Sequence, residues 1–136
     1  MCGIVGWYGF RHGSDGKTDH ALEAMMAAMR TRGPDGSGQW ASRGHPVSLG
    51  HLRLAILDLS ELGAQPLCDK ATGQALVFNG EIYNFRELRR ELEREGFAFR
   101  SESDTEVLLK AYLHWGEAML NRLRGMFAFA LWDERK

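Results

Sequence analysis

The residues that could carry chemistry begin at the second position of the sequence, in MCGIVGWYGF. Removing Met1 would leave Cys2 as residue one, with its α-amino group two bonds from the carbon that bears the thiol. α-Amines and thiols both titrate close to neutral pH, so the amine can take the sulfur's proton, directly or through one water. The protonated amine can later return that proton to a departing amine. Taken alone, a Met-Cys start is more simply chance, because a motif needs its structural context.

A thiol attacking an amide carbonyl needs donors where the oxyanion forms. The stretch FNGE offers the Asn79 side-chain amide and the Gly80 backbone N–H, and one such donor stabilises a transition state by roughly 2.7 to 4 kcal/mol. Read locally, the same residues are a plain Asn-Gly turn. Arg53 presents a planar fork suited to a carboxylate, while Glu81 and Asp104 could hold an ammonium. Together they describe a pocket for the zwitterionic head of a free amino acid. Singly, each has a structural explanation: Arg53 as a charge on a strand surface, Asp104 as a first-turn acid favoured by the helix dipole.

The elements that must position these groups are legible in the pattern. Ile4 to Phe10 predict a strand, followed by turn chemistry in RHGSDGKTD. His20 to about Arg30 predict a helix capped at Thr18 or Asp19, with Leu22, Met25, Met26 and Met29 turned to a core. Gly33-Pro34 break it, and a short strand is expected near Gln39 to Ser42. Val47 to Leu59 read as a strand with Leu52, Leu54 and Ile56 on one face and His51, Arg53 and Ala55 on the other. ALVFNG predicts a strand that stops at Asn79-Gly80. Asn84 and Glu87 form a capping-box pattern opening a helix to about Glu95, with Phe85, Leu88 and Leu92 inward and Gly96 as its stop. FAFR predicts a short strand, Ser103 with Glu106 a second capping box, Gly116 the end of that helix, and Met126 to Trp132 a final strand. The class is mixed α and β, with helices packed on sheets.

With 136 residues, 44% hydrophobic and 26% charged, the chain fits one soluble domain. The formal charge is -1 and no basic stripe runs along the sequence, so nucleic acid is not an expected partner. No apolar run approaches membrane-spanning length. Two cysteines make a disulfide framework improbable and point to the cytoplasm, with Cys68 a partly buried bystander. The spacings of Cys2 with His12, His20, His45 and His51 match no zinc pattern, so no metal is expected. Neither an SGGxDS-type pyrophosphate loop nor a Walker-type GxxxxGK occurs, so ATP is not expected to bind these residues.

MCGIVG at Met1, RGPDGSG at Arg32, GHLRLAILDLS at Gly50, VFNGEIYNFRELR at Val77, SDTEVLL at Ser103 and RGMFAFALWD at Arg124 follow one another along the chain. In this combination the sequence resembles the N-terminal glutaminase domain of class II (N-terminal nucleophile) glutamine amidotransferases, in their asparagine synthetase-like branch. The resemblance implies an α+β fold, a four-layer αββα sandwich with Cys2 at the start of a central strand. It implies Cys2 as nucleophile with its freed amine as base, Asn79 and Gly80 as oxyanion hole, and Arg53 on the glutamine α-carboxylate. The backbone of Leu54, Ala55, Ile56 and Leu57 would line the site, and Glu81 and Asp104 would recognise the α-amine. The implied reaction takes L-glutamine to glutamate and ammonia through a Cys2 thioester. The ammonia would supply an ATP-dependent amidation, aspartate to asparagine, in a downstream synthetase domain of the same polypeptide that would need ATP and Mg. On this reading residues 2–136 are a glutaminase domain incomplete at its C-terminal end, its last strand MFAFALW is an edge prone to association, and a homo-oligomer is allowed. A glutamine-binding or assembly module without turnover, and an amidotransferase for another carboxylate, are the alternatives.

Overall fold

A computed structural model of the chain describes residues 2–9, 17–56 and 60–136, the side chains of residues 17–19 excepted. Phe10, the expected turn at 11–16 and Leu57 lie outside the described residues. The elements in order are β1 (Gly3–Tyr8), α1 (Lys17–Ala28), β2 (Gly36–Ala41), β3 (Val47–Arg53), β4 (Leu67–Asp69), β5 (Gln74–Ile82), α2 (Phe85–Arg94), α3 (Asp104–Trp115) and β6 (Gly125–Asp133). They form two antiparallel three-stranded sheets, ordered β1-β3-β2 and β4-β5-β6.

Three apolar clusters stack these elements into layers. Leu22 and Met26 of α1 pack on Leu52, with Val5, Trp7, Met25 and Met29 around them. Between the sheets lie Leu49, Ala75 and Val77 with Ile4, Trp40, Ala130 and Trp132. On the far face of the second sheet, Leu76, Phe78 and Ile82 meet Leu88 and Leu92 of α2 and Val107, Leu108 and Ala111 of α3. Helix, sheet, sheet, helix is thus the order of layers. Full burial of each leucine in the last cluster contributes about 1.5 to 3 kcal/mol.

Strand alternation explains where the polar residues go. On β5, Ala75 and Val77 face the other sheet while Leu76, Phe78 and Ile82 face the helices, so Asn79 and Glu81 continue the inter-sheet parity. On β3, Leu49 faces the second sheet and Leu52 faces α1, which gives His51 and Arg53 the inter-sheet parity as well. Both strands therefore deliver polar side chains to the same end of the gap between sheets.

Several local expectations are corrected. Helix α1 begins at Lys17, so Thr18 and Asp19 lie inside it rather than capping it. β3 stops at Arg53 instead of running to Leu59, because the next amides bond elsewhere: Leu54 N–H to Cys2 Sγ at 3.3 Å and Ala55 N–H to Asp35 Oδ2 at 2.9 Å. Ile56 is consequently exposed instead of sharing a buried face with Leu52. β5 does not stop at Asn79-Gly80 but continues to Ile82, with Gly80 opposite Phe127. Helix α2 starts at Phe85, yet Asn84 makes no capping bond: its side chain donates to Arg122 O and accepts from Arg124 N–H, both at 2.9 Å. FAFR is coil, with Phe97 and Phe99 packed on the helical core. Ser103 does cap α3, accepting from Glu106 N–H at 3.3 Å, but the Glu106 carboxylate binds Arg100 and Ser101 rather than reaching back to Ser103. Cys68 is exposed. β1 is an edge of its sheet among the described residues, so Cys2 precedes an edge strand and not a central one. No helix of the described residues is long and apolar enough to cross a membrane.

Candidate active site

One pocket opens at the end of the inter-sheet gap, and it draws on five separated segments of the chain. Cys2, Arg53, Leu54, Ala55, Ile56, Asn79, Gly80, Glu81 and Asp104 all line it, together with Gln65, Phe78, Ser103 and Thr105. Every residue singled out from the sequence is there except Leu57, which lies outside the described residues.

Cys2 stands half-buried at the pocket wall, just ahead of β1. Its sulfur accepts the Leu54 N–H at 3.3 Å, and its S–H reaches Leu54 O at 3.5 Å. The RGPD loop holds both partners of this contact. Arg32 Nε donates to Cys2 O at 3.2 Å, Asp35 N–H donates to Arg53 O at 3.0 Å, and the Asp35 carboxylate takes Ala55 N–H. Gly33 makes that approach feasible, since a Cβ there would lie 2.3 Å from the carbonyl carbon of Leu52. Arg32 and Asp35 were visible in the sequence only as parts of a motif. An Arg and an Asp flanking Gly-Pro signal a loop with side-chain anchors, but not what they anchor.

Arg53 ends β3 with its side chain at the pocket. One layer deeper on the same face is His51, only 1% exposed, its ring nitrogens without a hydrogen-bond partner of good geometry. Burial lowers its pKa from 6.5 to about 4, the Phe78 backbone opposing this and the Arg53 charge adding to it. In that window the unfolded chain binds the proton and the fold does not. Stability from this group is therefore complete above about pH 6.5 and is lost as pH falls towards 4. Denaturation midpoints measured from pH 7 to pH 4 are expected to show a His51-dependent loss on the order of 3 kcal/mol. A His51→Leu variant should lack that part of the slope, and equal slopes in the two proteins would contradict the assignment.

Asn79 and Gly80 sit opposite, on β5. The Asn79 Oδ1 atom is buried without a partner among the described groups. Alternate amides of a strand point to one edge, so Phe78, Gly80 and Ile82 share the edge of β5 that β4 leaves free beyond Leu76. Side chains close the outer two: Gln65 Oε1 accepts Phe78 N–H at 2.6 Å and Asp104 Oδ2 accepts Ile82 N–H at 3.0 Å. Gly80 lies between them, facing the pocket. Its φ of +147° belongs to glycine, and a Cβ would meet Met126 O at 2.2 Å.

Asp104 opens α3 at 5% exposure, and Glu81 is exposed at the rim. Burial raises the Asp104 carboxyl above its usual range and the Glu81 charge pushes the same way, while the N–H groups of Ile82, Thr105 and Asp104 itself pull it back. A buried acid beside a like charge is a place where an added cation is favourable. Glu106 fixes this corner from behind, accepting from Ser101 N–H and Ser101 Oγ at 2.7 Å each. Among the described residues no three of His, Cys, Asp and Glu converge as metal ligands would.

The Cys2 thiol, the Gly80 stretch of β5 and the acidic side chains of Glu81 and Asp104 thus share one pocket on a two-sheet sandwich. The chain belongs to the glutamine amidotransferase domain family, whose profile matches residues 1–136. It is 41% identical over 138 residues to asparagine synthetase [glutamine-hydrolyzing] 3 of Bacillus subtilis, a match covering the whole chain and 22% of that relative. A second relative, amidase chry2 of Gibberella zeae, is 44% identical over 115 residues, covering 85% of the chain and 17% of the relative. The chain thus spans about a fifth of the length of these curated relatives. Among solved structures, the glutamine phosphoribosylpyrophosphate amidotransferase of B. subtilis superposes with a TM-score of 0.79 at 22% identity, over 98% of this chain and 35% of that one. The expected four-layer fold of the N-terminal nucleophile type is the one observed.

Proposed function

We propose that the domain hydrolyses L-glutamine to glutamate and ammonia through a thioester on Cys2. The observation that carries this reading is the convergence of Cys2, Arg53, Asn79, Gly80 and Asp104 on one pocket from distant parts of the chain. After loss of Met1, the amine of Cys2 takes the thiol proton and the sulfur adds to the glutamine amide carbon. The oxyanion is met by the Asn79 amide and the Gly80 N–H, and collapse expels ammonia with the proton returned by the amine. Water then cleaves the thioester to glutamate. Arg53 holds the substrate α-carboxylate, the Leu54 to Leu57 backbone lines its path, and Asp104 with Glu81 takes the α-ammonium.

The Asp104 carboxyl that would meet the substrate ammonium carries a cost in stability in the free protein. The raised Asp104 carboxyl keeps its proton better folded than unfolded, so stability falls as pH rises from the ordinary carboxylate range through the raised value. Ionising a buried carboxyl that the fold prefers protonated is a cost that an amide would not carry. Asp104→Asn keeps an acceptor for Ile82 N–H, so it is expected to melt at the same or a higher temperature. The same change should raise the KM for glutamine by about 30-fold or more, as removal of one member of a desolvated charge pair does. Calorimetry and glutamate release on one preparation check both halves.

The ammonia serves an ATP-dependent amidation in a longer polypeptide, with residues 2–136 as its glutaminase part and ATP and Mg bound elsewhere. Similarity to an asparagine synthetase favours aspartate as acceptor. Comparable similarity to a protein named an amidase supports a reading in which the acceptor is chosen outside this domain. A free nucleophilic thiol suits a reducing compartment such as the cytoplasm. The test is glutamine-dependent release of glutamate, followed by transfer of amide-labelled nitrogen to aspartate. Binding of glutamine with no glutamate formed would replace hydrolysis by a binding-module function.

A further inference from the structure

Beyond the residues that would touch glutamine, Gln65 is placed to control how the oxyanion strand meets the reaction, an inference that rests on the functional reading above. β4 stops pairing with β5 at Leu67 opposite Leu76, and the next amide on that edge, Phe78 N–H, is taken at 2.6 Å by the Gln65 side chain. The other end of the same amide group donates to Thr105 Oγ1 at 3.2 Å, beside Asp104 on α3. The main chain of Gln65 is equally confined, because a Cβ on Gly38 of β2 would lie 2.0 Å from its carbonyl oxygen. One side chain therefore ties the strand just ahead of Asn79 to the start of α3, while its main chain lies close against β2.

The tie has a counterpart. Asp104 closes Ile82 N–H, so the two side chains bracket Asn79, Gly80 and Glu81 from either side. Gly80 at φ +147° has the backbone freedom that such bracketing must remove for its N–H to keep one direction. Asp104 anchors the far side while also facing the substrate ammonium in the proposed mechanism. Gln65 lines the pocket with both ends of its amide already engaged by the protein, which suits support rather than substrate contact.

We propose that Gln65 is a positioning residue for the Asn79–Gly80 oxyanion donors, acting through the Phe78 amide and locked by the Thr105 hydroxyl. Preorganised donors lose their effect steeply with small displacement, so loss of the tie acts on the rate more than on binding.

The experiment compares wild type with Gln65→Met, which keeps the length and removes both bonds, with Thr105→Val and Thr105→Ser, and with the Gln65→Met/Thr105→Val pair. Turnover is read as glutamate release at saturating glutamine, and affinity as glutamine binding in a Cys2→Ala background. Gln65→Met should lower turnover about 30- to 100-fold with affinity changed less than about threefold. Thr105→Val should lower turnover about tenfold, Thr105→Ser should restore most of it, and the pair should be no worse than Gln65→Met alone. If Gln65→Met does not fold, the Val and Ser variants decide on their own. A folded Gln65→Met with undiminished turnover, equal losses of turnover and affinity, or Thr105→Ser as impaired as Thr105→Val would overturn the inference. Wild type that releases no glutamate would overturn the functional reading and this inference with it, whereas active wild type beside an equally active Gln65→Met overturns this inference alone.

Discussion

Cys2→Ala is expected to reduce glutamine hydrolysis by at least about 10⁴-fold while changing glutamine affinity less than about threefold. The asymmetry follows from what the sulfur does in the fold. It accepts one N–H from Leu54, but the contact that fixes the chain at this point is Arg32 Nε on the Cys2 carbonyl, which alanine keeps. The residue is half-buried ahead of an edge strand, so the substitution should cost no more than about 1 kcal/mol of stability. Arg53, Asp104 and Glu81, which hold the zwitterionic head in the proposed mechanism, are untouched by the change. Rate measurements by glutamate release and affinity by calorimetry check the pair of outcomes, and retained turnover in the alanine protein would remove the thioester from the mechanism.

The second large effect falls on Gly80→Ala, which should damage stability and rate together. A Cβ at this position would stand 2.2 Å from Met126 O and 2.5 Å from Phe127 Cα, both backbone atoms of the paired strand β6. Neither can rotate away, and φ of +147° is itself unfavourable for alanine. The β5–β6 ladder has to part here, at a cost of about 2 to 4 kcal/mol. Any molecules that do fold carry a displaced amide at residue 80, so turnover should fall by a further factor of about 10². Gly44→Ala is the control: nothing lies within 4 Å of its added carbon, and stability should stay within about 0.5 kcal/mol. Urea denaturation of the three proteins measures the contrast, and equal midpoints would refute the steric reading of Gly80.

Residue types in the sequence point to the pocket more clearly than to the local backbone geometry around it. Cys2, Arg53, Asn79, Glu81 and Asp104 are legible by residue type and line one pocket: β3 and β5 bring Arg53, Asn79 and Glu81 there by presenting the same parity to one gap, whereas Cys2 precedes β1 and Asp104 opens α3. Helix α2 was equally readable, its Leu88 and Leu92 repeating at helical spacing and both buried. Failures fall where a backbone group finds a distant partner. Leu54 and Ile56 alternate like strand residues, but the amides of residues 54 and 55 are claimed by Cys2 and Asp35, so β3 ends early. Asn84 has the type and spacing of a cap, yet residues 122 and 124 occupy its side chain. Asn-Gly at 79–80 has the residue types of a turn, yet it stays extended in the pairing with β6. Gln65 carries no periodic or charge signal at all, because its role exists only through Phe78 and Thr105.

In the proposed mechanism the sulfur of residue two is the group that attacks a glutamine-like substrate. Treating the protein with a glutamine-mimicking electrophile and sequencing its peptides by mass spectrometry tests this most directly. A mature chain beginning at Cys2, one label on that residue, protection by glutamine, and an unlabelled Cys68 despite its exposure are expected. Label on Cys68 alone, or active protein that retains Met1, would contradict it.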